Sequence, residues 1–397
     1  MKITNQRIGI DVSTLINHGP DIGAGRYIVN LVKNLIANDK KNTYILTGRY
    51  ISDDYLDILY NLKKESAGVV ELKLFKTSQK KLDLWDRLRF PPLEFRGFKS
   101  DMLHCPDYLI PPTINKNLVI TVHDLSFIRY PQFNFEWFIK KYTREVRKSM
   151  LLAKKIIADS ESTRNDIIKF FGIDPKKVCV IYLASDSIFR RLADKEKDSN
   201  IIKKYGIDKK YILSVGTIEP RKDFVTLIKA FNHIKQTDAA SGYKLVIAGR
   251  TGWKSEPTYA ERESSPFRED ILFTGRVPDS DLNQIYNQAE IFVYPSIFEG
   301  FGLPPLEAMS CGLPVVARDT SSLTEVVGDS GILLKDADEK EFGQEILNLI
   351  KNEDVKEMLK EKSLARAKIF SWGKTAQITI GLYREIISPQ DSIYQTK

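Results

Sequence analysis

The chain has 397 residues, 42% hydrophobic and 28% charged, values of a soluble protein long enough for two ordinary domains. No apolar run nears the roughly 20 residues of a spanning helix, and Met1 to Arg7 has no signal-peptide core. Three isolated cysteines and four scattered histidines offer neither a disulfide framework nor a zinc motif, and the net charge of +8 is uneven, with 31 Lys+Arg against 21 Asp+Glu in residues 1–190 but 29 against 31 in 191–397.

In chain order, Arg7 to Val12 is predicted as a buried strand, followed by a loop with Gly19, Gly23 and Gly25. Tyr27 to Ala37 then puts Ile28, Leu31, Val32, Leu35 and Ile36 on one helical face. This β–loop–α unit lacks the third glycine of a dinucleotide fingerprint. Gly23 and Gly25 therefore read either as a flexible turn or as points where backbone approaches a substrate. More strands are predicted at 44–47, 69–75, 102–104, 118–123, 155–158 and 178–183, with helices at 133–152 and 161–171. Regular alternation of this kind implies a parallel sheet covered by helices, with ligands beyond the carboxyl ends of the strands. His123 and Asp124 end one such strand. The histidine either faces a cleft or is satisfied by a neighbouring carbonyl.

Two stretches of this basic half interleave cations with aromatics. One is Lys80 to Lys99, with Trp85, Phe90, Phe95 and Phe98; the other is 133–155, with Trp137, Phe138 and Tyr142 beside seven lysines and arginines. They suit an anionic membrane surface. Single-stranded nucleic acid accepts the same chemistry, and a solvated helix face is the plainer reading.

The polar stretch Ser185 to Lys210 is predicted to be the link between domains. The alternation then restarts with strand 211–216, the loop Thr217 to Asp223 and helix 224–236. Arg221 and Lys222, at a strand's carboxyl end, read as a diphosphate clamp: a planar fork and a point charge. Strand 244–248 leads to Gly249, and strand 271–273 to Gly275–Val277, where a nucleobase edge can lie on exposed backbone. Ile291 to Tyr294 is a short buried strand. Gly300 and Gly302 follow in a tight loop, Pro304 and Pro305 open a helix, and Gly312 with Pro314 stops it. A strand, glycine loop and helix N-terminus make an anion site. Glu299 and Glu307 frame it, as suits sugar and ribose hydroxyls; two surface glutamates are the bland alternative. Helices near 337–351, 353–369 and 372–387 close the chain, and 388–397 is expected to be disordered.

Glu299 and Glu307 match the E-x7-E signature of retaining glycosyltransferase family 4. Val215-Gly216-Thr217-Ile218-Glu219-Pro220-Arg221-Lys222-Asp223 resembles that family's phosphate loop, although many relatives have asparagine where Asp223 stands. Gly23-Ala24-Gly25-Arg26-Tyr27, His123-Asp124-Leu125-Ser126, Ala158-Asp159-Ser160 and Gly249 with Gly252-Trp253 resemble the branch of bacterial mannosyltransferases that build surface polysaccharides. The resemblance implies the GT-B fold: two doubly wound, Rossmann-like α/β domains facing each other across a cleft. It also implies residues 1–190 as the acceptor-side domain, completed by a helix near 373–390, and 200–372 as the nucleotide-sugar domain.

By the same resemblance, Arg221 and Lys222 grip the donor diphosphate. Glu299 and the amides of Gly300, Phe301, Gly302 and Leu303 hold the transferred sugar and distal phosphate, and Glu307 takes the ribose. Gly23 and Gly25 close over the phosphates, His123 lies near the reacting centre, and Gly249 and Val277 complete the donor set. No metal or other cofactor is expected, because Arg221, Lys222 and the helix dipole can neutralise the leaving diphosphate. The expected partners are a nucleotide-sugar, most closely GDP-mannose, a lipid-linked saccharide acceptor and the inner face of the cytoplasmic membrane, with no nucleic acid. UDP- and dTDP-sugars fit the same scaffold. A nucleotide-binding oxidoreductase and a non-catalytic sugar-binding protein are the rivals from other classes.

Overall fold

The buried runs become strands of two parallel sheets in a computed structural model that describes residues 5–20 and 22–388. Nearly all of the tail expected to be disordered lies outside the described residues. The first sheet contains β1 (Arg7–Asp11), β2 (Thr43–Tyr50), β3 (Val70–Lys76), β4 (Met102–Cys105), β5 (Leu118–Val122), β6 (Lys155–Ala158) and β7 (Val178–Val180), in the order β3-β2-β1-β4-β5-β6-β7. The second contains β8 (Lys210–Val215), β9 (Tyr243–Ala248), β10 (Ile271–Gly275), β11 (Ile291–Tyr294), β12 (Val315–Arg318) and β13 (Ile332–Leu334), in the order β10-β9-β8-β11-β12-β13. β5, β9 and β11 are buried at every position, the pattern of strands covered by helices on both faces. β13 escapes sequence reasoning because it is three half-buried residues at a sheet edge.

The chain folds as two units. One holds the described residues up to Ile128, Glu136–Leu183 and those from Trp372 onward; the other holds Arg129–Phe135 and Ala184–Ser371. The last helix, Trp372–Ile387, packs on the helix Gly23–Asn38 of the first unit. There the Tyr383 hydroxyl meets His104 Nδ1 at 2.6 Å, and Thr375 donates to the Tyr182 carbonyl at 2.7 Å. In the second unit alternate strand residues feed two cores, one around Ile212, Leu245 and Val293, the other around Leu213, Val246 and Phe292.

The stretch Ser185 to Lys210 is not a free link. It folds onto the second unit, with Phe189, Leu192 and Ile207 buried. Its backbone is tied down: the Leu192 amide donates to Asn287 Oδ1 at 2.7 Å and the Asp198 amide to Gln284 Oε1 at 3.0 Å, both on the helix Asp279–Gln288. Each sheet reverses its strand order once, between β1 and β4 and between β8 and β11. Loops diverge at such a reversal and leave a crevice beyond the carboxyl ends. Among the described residues no helix is long and apolar enough to cross a membrane.

Candidate active site

At the reversal of the second sheet, β8 and β11 lie side by side although two strands separate them in sequence order. The loop after β8 ends in a short turn, Pro220–Lys222; the loop after β11 runs to the helix Leu303–Ser310. The Ile297 amide donates to the Arg221 carbonyl at 2.9 Å and ties the two loops together. Lys222 Nζ then reaches Glu299 Oε1 and the Tyr294 hydroxyl, both at 2.6 Å. Arg221 Nη1 lies 2.8 Å from Glu299 Oε2 and donates to the Phe298 carbonyl at 2.6 Å, while Nη2 donates to Glu219 Oε1 at 2.6 Å. Ser296 and Tyr294 add hydroxyl donors to Glu299 Oε1 at 2.6 and 3.0 Å.

Two cations and two carboxylates thus share one buried knot. Burial alone would push the Glu299 carboxyl up, but Arg221, Lys222 and the hydrogen bonds of Lys222 and Ser296 hold it at about 2. Lys222 moves the other way: burial and the neighbouring Arg221 lower its pKa, and Glu299 offsets part of that. Glu219 is buried too, and its Oε2 has no hydrogen-bond partner among the described residues. Asp223 adopts a left-handed conformation, φ 52°, which aspartate and asparagine tolerate best. Arg318 Nη2, 2.8 Å from Asp223 Oδ2, pairs with the carboxylate there.

The other candidates of this unit surround the knot in different ways. Gly302 caps the helix Leu303–Ser310 at φ 103°, and the buried Phe301 ring meets Phe370 edge-on at 5.7 Å. Leu303 is half-buried at the start of that helix, and Gly300 is buried before it. Glu307 is buried and accepts from the Tyr286 hydroxyl at 3.0 Å. Val277 packs at the edge of the core that contains Tyr286. Gly249 lies against backbone: a Cβ there would fall 1.9 Å from the Gly216 carbonyl oxygen.

In the first unit the three candidates differ. Gly23 opens its helix with open space where a methyl group would sit, whereas a Cβ on Gly25 would lie 1.9 Å from the Gly19 carbonyl oxygen. His123 Nδ1 faces Asp159 Oδ2 at 2.7 Å and Nε2 faces the Pro106 carbonyl at 3.1 Å. A carboxylate and a carbonyl both accept, so this pair of partners favours the doubly protonated imidazolium, which has no lone pair for a further proton. Burial alone would lower the His123 pKa; the charge and hydrogen bond of Asp159, helped by Asp107 and the Pro106 carbonyl, raise it to about 9. A pKa raised above its ordinary 6.5 contributes stability that is complete below about pH 6.5 and lost as pH rises through 9. Melting temperatures of the wild type are therefore expected to fall over that interval through this pair, and Asp159→Asn to flatten that part of the profile.

Family models match both halves: "Glycosyltransferase Family 4" over residues 22–187 and "Glycosyl transferases group 1" over 195–366. O-antigen chain mannosyltransferase B of Escherichia coli is 31% identical over 372 residues, 92% of this chain and 96% of that protein. The chain belongs to the family 4 glycosyltransferases. A Campylobacter jejuni relative, N-acetylgalactosamine-N,N'-diacetylbacillosaminyl-diphospho-undecaprenol 4-alpha-N-acetylgalactosaminyltransferase, is 29% identical over 66% of this chain and 67% of its own. A crystal structure of Anabaena HepE with UDP and glucose superposes with a TM-score of 0.73 at 18% identity, covering 95% of this chain and 99% of that one, and shows the same GT-B fold.

The candidate site thus gathers Arg221, Lys222 and Glu299 directly, while Glu307 lies within the helix Leu303–Ser310 with a separate partner. Glu219, Tyr294, Ser296 and Ser321 are not singled out by sequence reasoning, although the first three sit inside the two motifs. Ser321 lies outside them: its Oγ accepts from the Glu299 amide at 2.9 Å, and Ser322 donates to the Glu299 carbonyl at 2.9 Å, fixing the loop from behind. A serine pair opening a helix gives the sequence no reason to connect it with Glu299.

Proposed function

We propose that this glycosyltransferase moves mannose from GDP-mannose to a lipid-linked saccharide during surface-polysaccharide assembly, with retention of anomeric configuration and without a metal. The observation that carries the reading is the clamp of Arg221 and Lys222 on Glu299 at the strand-order reversal. The mannose part is supported by likeness to a named mannosyltransferase, and the lipid-diphosphate part by the acceptor in the Campylobacter relative's name.

In this reading Arg221 and Lys222 meet the donor diphosphate, and charge developing on the departing phosphate oxygen is stabilised more than in the ground state. The N-terminus of the helix Leu303–Ser310 adds its dipole, and the backbone from Gly300 to Leu303 its amides. His123, bonded to Asp159 and the Pro106 carbonyl, is not the base. The acceptor attacks on the face from which the diphosphate departs, and a phosphate oxygen takes its proton. A glycosyl group trapped covalently on a native side chain would sink that step. The protein works peripherally at the inner face of the cytoplasmic membrane.

The test offers GDP-mannose, UDP-glucose, UDP-galactose, UDP-GlcNAc and dTDP-rhamnose separately, with a lipid-linked acceptor, and counts released nucleotide. Consumption of GDP-mannose alone, lost in Lys222→Ala, is the expected result. Consumption of a different donor would keep the site and overturn the mannosyl assignment.

A further inference from the structure

We propose that the segment Arg129–Phe135 is a strap that positions the donor clamp, with Arg129 and Tyr130 acting on Arg221 through Phe298. The proposal rests on the donor reading given above for what the clamp binds, but not for how the clamp is held.

The segment stands apart from its neighbours in sequence. Ile128 before it and Glu136 after it belong to the first unit, whereas Arg129–Phe135 packs with the second. It carries three rings, Tyr130, Phe133 and Phe135, with one cation and no acid. Pro131 starts a single tight turn, Pro131–Phe133. The Phe133 amide donates to the Tyr130 carbonyl at 3.1 Å and the Asn134 amide to the Pro131 carbonyl at 3.0 Å. Around that turn the Tyr130 and Phe133 rings stack at 5.7 Å, 17° from parallel. The next carbonyls, of Gln132, Phe133 and Asn134, take their donors from elsewhere in the second unit.

One end of the strap is gripped by the loop after β9. Trp253 Nε1 donates to the Phe133 carbonyl at 2.8 Å, and Lys254 Nζ to the carbonyls of Gln132 and Asn134 at 2.8 and 3.1 Å. Lys254 adopts a left-handed backbone, φ 51°, and its ammonium also lies 5.6 Å from the centre of the Phe135 ring. A lysine holds that strained conformation only where its surroundings fix it. The grip is itself anchored. The Gly252 amide donates to the Ile218 carbonyl at 3.0 Å, and a Cβ on Gly252 would fall 2.6 Å from Thr217 Cγ2 and 2.8 Å from the Ile218 carbonyl oxygen. The loop after β9 is thereby pressed on the loop after β8, the one that ends in Arg221 and Lys222.

The other end rests on the loop after β11. The Tyr130 ring meets the Phe298 ring at 5.7 Å, and the Arg129 guanidinium lies 5.6 Å from the centre of the same ring. Phe298 is fully buried, and its carbonyl accepts from Arg221 Nη1 at 2.6 Å. Glu299, next in the chain, holds both cations of the clamp. In the sheet β8 lies between β9 and β11. The strap therefore ties together the loops of the two flanking strands, and the loop between them carries Arg221 and Lys222. A guanidinium that must meet a diphosphate in one orientation needs a fixed carbonyl behind it, and a misplacement of about 1 Å can cost about 10²-fold in rate. Arg129 and Tyr130 touch neither cation in this arrangement; they are positioning residues that act through the Phe298 backbone.

The test is amide hydrogen exchange and nucleoside-diphosphate binding on the full chain. The Ile297 amide donates to the Arg221 carbonyl and the Glu299 amide to Ser321, so exchange of a peptide spanning both reports how firmly the loop is held. Tyr130→Ser is expected to speed that exchange and to weaken binding of GDP by up to about tenfold, the weight of one aromatic pair. Tyr130→Phe keeps the ring and should match the wild type in both. Trp253→Phe keeps its ring but loses the indole N–H, and is expected to speed exchange in the same peptide from the opposite end of the strap. Packing confined to Tyr130 and Phe298 would not respond to that change. Unchanged exchange in Tyr130→Ser or in Trp253→Phe overturns the proposal. So does unchanged GDP affinity beside faster exchange, or a Tyr130→Phe protein that behaves like Tyr130→Ser. Should Tyr130→Ser not fold, Trp253→Phe decides alone. A wild type that binds none of GDP, UDP and dTDP would remove the donor reading instead, and the exchange comparison would still decide whether the strap holds the loop.

Discussion

Glu299→Gln is expected to abolish sugar transfer and to destabilise the second unit, with a melting transition that recovers more than the wild type's when a nucleoside diphosphate is added. The substitution keeps volume and removes one of two negative charges from the knot. Arg221 and Lys222 are then left with Glu219 alone. Removing one partner from a buried ion pair typically costs about 3–5 kcal/mol, because the remaining charge stays desolvated and unpaired. The amide also misfits its neighbours: Oε1 receives Lys222, Tyr294 and Ser296, so the amide nitrogen must face Arg221, donor against donor. An added diphosphate supplies the missing anion. Ligand binding to the folded state raises its stability by mass action, and the uncompensated variant has more to gain. Differential melting with and without GDP checks this. A variant that melts like the wild type and gains no more from GDP would show that Glu299 does not balance the cations. The sign with pH agrees: a carboxyl lowered to about 2 from its ordinary 4.5 contributes stability present above 4.5 and lost as pH falls through 2, a component Glu299→Gln lacks.

The two motifs are legible in the sequence because their chemistry is local: adjacent cations at a strand end, and a glycine loop opening a proline-started helix. Their pairing is not. Glu299 and Lys222 meet only because β11 inserts beside β8, and sheet order is a property of the whole unit. The neutralised state of the clamp is invisible for the same reason. His123 shows the same limit on a smaller scale. Its place at the end of β5 is readable, but its second partner, Asp159, comes from the end of the neighbouring β6 and settles its protonation. Ser185 to Lys210 misleads in the opposite direction: its charged residues look like a solvated tether, while its backbone amides are held by asparagine and glutamine of a helix far along the chain.

Gly249→Ala is expected to unfold the second unit or leave it insoluble, whereas Gly23→Ala is expected to melt within about 0.5 kcal/mol of the wild type, as substitutions in open surroundings do. The family resemblance assigns both glycines to the donor, and their surroundings separate them. A methyl group on Gly249 would sit 1.9 Å from the Gly216 carbonyl oxygen and 2.6 Å from its carbon; on Gly23 it would meet nothing within 4 Å. The obstacle is backbone, so no rotamer change relieves it. The Gly216 amide donates to the Ala248 carbonyl at 2.9 Å and the Gly249 amide to the Gly275 carbonyl at 3.0 Å, which fixes the ends of β8, β9 and β10 against one another. Overpacking a core costs typically about 1–3 kcal/mol even when side chains can yield; here the strands themselves must part. Gly216 also begins the loop that ends in Arg221 and Lys222, so any partial relief shifts the clamp. Urea unfolding with probes in each unit checks the contrast. A Gly249→Ala protein of wild-type stability that has lost only donor binding would return this glycine to the ligand; loss of the fold makes it the point where two strand ends touch.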